Sequence, residues 1–129
     1  MTIVSDTTPL ISLIKINRLD LLEKLFHEVL IPEAVYRELT TNQSFALEAE
    51  EVKKAPFLKV SLVQNKQSIQ ILQAVSGLDD GESEAIVLAG EKLSDVLIID
   101  ECEVEKLHNS LEFLLLELWV FWFRLMMKV

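Results

Sequence analysis

An α/β/α sandwich with a mainly parallel sheet, an α/β fold in three layers, is the fold class this sequence predicts. Three observations point to it. Short apolar runs alternate with longer segments of helical periodicity over the first 103 residues. One run, residues 96–99, contains no polar residue, the mark of a strand covered on both faces. The chain has 129 residues, 50% hydrophobic and 26% charged, which suits one folded domain and excludes general disorder.

The elements follow in order. Residues 2–5 form a short β-branched run that ends at Asp6. Thr8 and Pro9 then suit an N-cap and a first helical turn. Leu10, Leu13 and Ile14, then Leu19, Leu22, Leu25 and Phe26, recur at helical spacing. Residues 29–31 are a second strand. Pro32 opens a helix over 32–39, with Glu33 in the first turn, where the helix dipole favours an anion. Residues 42–54 read as helix and 57–63 as a strand, after the breaker Pro56. Residues 66–75 form a helix, 77–81 a turn, and 82–92 a helix buried through Ala85, Ile86, Leu88 and Ala89. The strand at 96–99 ends at Asp100.

Charge and composition exclude several functions. A net charge of −9 disfavours nonspecific tracking along duplex phosphates. One cysteine, Cys102, excludes a disulfide scaffold and a cysteine-rich zinc site, and it fits a reducing cytosol. No histidine or second cysteine lies near it in sequence to make a catalytic pair; His27 and His108 carry no partner motif. Gly77 and Gly81 lack the spacing of a phosphate-binding loop. The first residues do not read as a secretory signal, so a cytoplasmic location is expected.

Four acids stand out: Asp6, Glu38, Glu84 and Asp100. Asp6 and Asp100 each follow a strand directly, and parallel sheets bind ligands beyond those strand ends. Glu38 and Glu84 fall on helices. Carboxylate oxygens suit hard divalent cations such as magnesium and manganese, which activate water and offset charge on a phosphodiester. Asp80, Glu82 and Glu101 are candidates to assist. Taken by spacing alone, the preferred reading is solvated acids among a total of 21. Lys15, Arg18, Arg37, Lys53, Lys54 and Lys59 are candidate phosphate contacts, although scattered surface charge explains most of them.

Three blocks carry a resemblance: SDTTPLISLIKINRLDLL, VLIPEAVYRELT and GLDDGESEAIVLAGEKLSDVLIIDE. Together they resemble the PIN-domain superfamily, within it an uncharacterised family of predicted nucleic-acid-binding proteins, over about residues 2–103. The resemblance implies an α/β/α fold that cleaves single-stranded RNA with Mg2+ or Mn2+ held by an acid cluster. It places Asp6, Glu38, Glu84 and Asp100 in that cluster as catalytic and metal-binding residues. Glu84 stands where many relatives have an aspartate, one methylene shorter. Thr7 is either a positioning residue for Asp6 or a plain residue of the first helical turn, and the second reading is slightly preferred. Many such proteins are toxins, so a cognate antitoxin and a homodimer are family-level expectations.

From Val104 the text changes: no Gly or Pro follows, and both tryptophans fall here. The expected division is therefore 1–103, a PIN-like domain incomplete at its C-terminus, and 104–129, an apolar helical tail. Glu112, Glu117 and Arg124 make the tail a poor membrane span. The genetic code offers an origin for it. If one base is lost after the Glu103 codon, the restored frame turns Trp119–Val120 into glycine, Phe121–Trp122 into leucine and Trp122–Phe123 into valine. That frame also permits GRKVA directly after Glu103. Both segments are similar to ones that the family carries at those places, so the tail is expected to be out of frame.

The leading expectation is a metal-dependent ribonuclease. The alternatives are a noncatalytic nucleic-acid- or partner-binding module, an inactive frameshifted product, and a receiver-like phosphoacceptor domain.

Overall fold

The computed structural model describes residues 1–100, 105–106 and 108–109. Its elements in chain order are β1 (Ile3–Ser5), α1 (Thr7–Lys15), α2 (Asp20–Phe26), β2 (Val29–Pro32) and α3 (Glu33–Thr41). A short 3-10 turn (Gln43–Phe45) leads into α4 (Ala46–Lys53), then β3 (Leu58–Ser61), α5 (Lys66–Ser76), α6 (Asp80–Glu91) and β4 (Val96–Ile98). The strands form one sheet in the order β3-β2-β1-β4, and every pairing is parallel. The predicted α/β class stands.

Alternation along the strands separates two layers of core. Ile3, Val29 and Ile31 point to one face and pack with Leu10, Leu22, Val35, Leu39 and Val52 from α1 to α4. Val4 and Leu30 point to the other face and pack with Ile69, Ala85 and Leu88 from α5 and α6. The chain runs outward from β1 to β3 with its helices on the first face. It then returns over the second face to place β4 beside β1. This reversal makes the gap between β1 and β4 the switch point of the sheet, where parallel α/β folds bind ligands.

Three local expectations change. Asp6, not Thr8, occupies the N-cap position of α1, so Pro9 is the third helical residue and still lies in the first turn, where a missing N–H costs nothing. Gly81 is not in a turn: α6 begins at Asp80, because Asp79 and Glu82 form a capping box there. β4 is not buried on both faces among the described residues. Its burial runs from exposed Val96 to half-buried Leu97 and Ile98, and β1 is its sheet neighbour. Of the expected tail helix, residues 105–106 and 108–109 are described and are helical; the rest of it lies outside the described residues.

Candidate metal centre at the carboxyl edge of the sheet

β1 delivers Asp6 to the carboxyl edge of the sheet. Its backbone N–H donates to the Ile98 carbonyl of β4 at 3.0 Å, continuing the ladder in which Ser5 pairs with Ile98. Asp100 follows β4 at the same edge, half-buried. Asp6 is 2% exposed, and its Oδ1 is buried with no hydrogen-bond partner. As the helix cap, its side chain accepts no bond from the first turn of α1. A buried carboxylate oxygen without a donor is costly, and such groups persist at sites that something else satisfies.

α3 brings the second acid. The spacing of Ala34, Arg37, Glu38 and Thr41 puts them along one stripe of the helix, while Val35 and Leu39 anchor it in the core. The Thr7 hydroxyl donates to Glu38 Oε2 at 2.9 Å. Thr7 is thus a positioning residue for Glu38, whereas the sequence reading offered such a role only toward Asp6 and preferred a plain residue of the first turn. Burial raises the Glu38 carboxyl above its ordinary range, and the charges of Asp79, Asp6 and Glu82 add to the rise; the Thr7 bond opposes it.

α6 closes the site. A methyl group at Gly81 would lie 3.3 Å from Glu38 Oε2 and 3.5 Å from Asp6 Oδ1. The two carboxylate oxygens therefore flank one small gap, within about 7 Å of each other. The capping box fixes this approach: Glu82 N–H donates to Asp79 Oδ1 at 2.8 Å, and Asp79 N–H donates to Glu82 Oε2 at 2.9 Å. Burial also raises the Glu82 carboxyl, aided by the charges of Asp79 and Asp6 and opposed by the Asp79 N–H bond and the cation of Lys106. Lys106 Nζ stands 4.0 Å from Glu82 Oε2.

A cleft of about 290 Å³ opens between the α3 stripe and the start of α6 at Asp79, Asp80 and Gly81. The structure thus brings together Asp6 and Glu38 of the four predicted acids, with Glu82 from the assisting set and Asp79, which sequence reasoning missed. Glu84 lies one turn beyond Gly81 and is half-buried. The signal for Asp79 was present as an Asp-x-x-Glu pattern ahead of an apolar helix; the glycine between the two acids drew the reading toward a turn.

Carboxylate oxygens suit magnesium or manganese, and Asp6 Oδ1 is the kind of orphaned acceptor that a cation satisfies. Among the described residues no group of three or more His, Cys, Asp or Glu converges closely enough to hold an ion unaided. Two carboxylates still fit magnesium, which keeps several waters and is completed by substrate phosphate.

In a three-layer α/β fold, acids gathered at the switch point of a parallel sheet lie where such folds bind ligands. A family model described as PIN domain matches residues 2–113, and the chain belongs to the PIN-domain family. No curated protein and no solved structure matches it. No helix among the described residues is long and apolar enough to cross a membrane.

Proposed function

We propose that this chain is a metal-dependent endoribonuclease acting on single-stranded RNA. The observation that carries the reading is the buried, unpartnered Asp6 Oδ1, which shares the gap at Gly81 with Glu38. Membership of a nuclease-related family supports it. Asp6 and Glu38 would hold Mg2+ or Mn2+, with Asp100 and Glu84 reaching it directly or through water. The ion, when bound, supplies an activated water and charge neutralisation at the phosphodiester. Thr7 keeps Glu38 Oε2 aimed at the gap. Gly81 leaves the gap open. Asp79 and Glu82 keep the start of α6 in place while adding negative charge that favours a cation.

The test is cleavage of a labelled single-stranded RNA in the presence of Mn2+ or Mg2+. Cleavage is expected to disappear with chelator and to fall at least a hundredfold in Asp6→Asn and Asp100→Asn, the scale for losing a transition-state contact. Activity that survives both substitutions and the chelator refutes the site. In this reading a toxin role would appear as growth arrest on expression, absent in the Asp6→Asn variant.

One observation favours a second reading, a nucleic-acid-binding module without turnover. No set of three ligands converges among the described residues. RNA binding without cleavage, under every divalent ion tried, would decide for it.

A further inference from the structure

We propose that Arg37 is the phosphate-binding residue of the cleft, gripping the backbone of the RNA next to the acids. The inference rests on the nucleic-acid reading above and adds a residue that holds the substrate. The cleft is lined by Glu38, Asp79 and Asp80, a wall that repels a polyanion. Arg37 is the one cationic side chain among its described lining residues. Helical spacing puts it on the Ala34–Glu38–Thr41 stripe, directly beside the acid that faces Asp6 across Gly81. A strand entering the cleft therefore meets a guanidinium at the same place where it meets the carboxylates.

The bland alternative is that Arg37 only pairs with Glu33, one turn earlier on α3. That pair is 3.5 Å long, and its side chains are 62% and 46% exposed. An exposed pair of this kind holds its arginine weakly. A guanidinium forms two parallel bonds to phosphate, so a backbone phosphate can displace Glu33. The two roles predict opposite behaviour for Glu33. If Arg37 serves the ion pair, Glu33→Gln and Arg37→Gln have the same consequence. If Arg37 serves phosphate, Glu33→Gln removes a competitor and tightens RNA binding, while Arg37→Gln weakens it.

The experiment measures binding of a fluorescein-labelled, mixed-sequence single-stranded RNA to the full chain by anisotropy over a range of salt, together with KM and kcat for its cleavage. Arg37→Gln is expected to weaken binding and raise KM about tenfold, with kcat nearly unchanged, the scale of one charge-assisted bond. Its salt slope should fall by about 0.7, one single-strand phosphate contact. Arg37→Lys should keep the salt slope and lose part of the affinity. Glu33→Gln should bind two- to threefold more tightly, by relief of the weak pair. Lys24→Gln is the control: Lys24 lies on α2, outside the cleft lining, and pairs with Asp20 at 2.9 Å, and its loss should change nothing.

Unchanged KM and salt slope in Arg37→Gln, while the unsubstituted protein cleaves RNA, overturns the Arg37 assignment and leaves the nuclease standing. Glu33→Gln behaving like Arg37→Gln also overturns it. Arg37-dependent binding without any cleavage supports Arg37 and refutes the nuclease. A chain that neither binds nor cleaves RNA refutes both.

Discussion

At the scale of single residues, the site is organised around a missing atom. Gly81 has no need of glycine for its backbone, which is ordinary helix. Its value lies in the space a Cβ would take between Glu38 Oε2 at 3.3 Å and Asp6 Oδ1 at 3.5 Å. Gly81→Ala should therefore separate stability from binding. Alanine is the better helix former, by up to about 1 kcal/mol, so the melting temperature should hold or rise. The Glu38 side chain would swing aside to admit the methyl, and calorimetric titration should find Mn2+ binding at least tenfold weaker, the scale of one lost charge-assisted contact. Equal Mn2+ affinity in the two proteins would mean that the gap is not where the ion sits. Thr7 follows the same logic from the other side, since its hydroxyl spends its proton on Glu38 rather than on its own helix.

At the scale of elements, α3 and α6 pack against each other, so the position at which α6 starts shapes the cleft between them. The capping box of Asp79 and Glu82 sets that start. Asp79→Ala should cost about 1 kcal/mol, the usual worth of an N-cap, and hydrogen exchange should quicken at the Gly81, Glu82 and Ser83 amides while β1 and β2 stay protected. Uniform exchange changes across the sheet would show that the cap supports the whole fold instead. The elements themselves were largely legible in the sequence, because the buried stripes of α3 and α6 recur at helical spacing and β1 and β2 are bounded by Asp6 and Pro32. Asp6, at a strand end, was legible for the same reason. What the sequence concealed was contact between layers. Thr7 reaching Glu38, and Gly81 lying against both acids, pair residues 31 or more positions apart, and no local pattern encodes such a meeting. β4 misled in the opposite way: a run with no polar residue reads as doubly covered, yet at the edge of the described sheet Val96 is exposed.

At the scale of the molecule, the site adds its repulsion to a net charge of −9, and stability should record that. Glu38 and Glu82 both titrate above their ordinary value of 4.5 in the folded chain. The folded state then holds protons that the unfolded state has released, so stability present below pH 4.5 is lost as pH rises through the raised values. Glu91 works in the opposite sense. The Gln64 and Asn65 N–H groups bond its carboxylate and lower its pKa, so its contribution is present above 4.5 and lost as pH falls through the lowered value. Glu91 is exposed and its share is small. Without divalent ions the melting temperature should therefore decline from pH 4.5 toward neutrality, and Glu38→Gln should flatten the decline. A cation that binds the ionised acids reverses the sign, because it stabilises only the folded chain that gathers them. Added Mn2+ should raise the melting temperature at neutral pH, do little below pH 4.5 and do little at any pH in Asp6→Asn. A Mn2+ response that is independent of pH, or that persists in Asp6→Asn, would place the ion elsewhere on an acidic surface. A response confined to neutral pH and dependent on Asp6 would tie the buried Oδ1, the raised carboxyls and the gap at Gly81 to one bound ion.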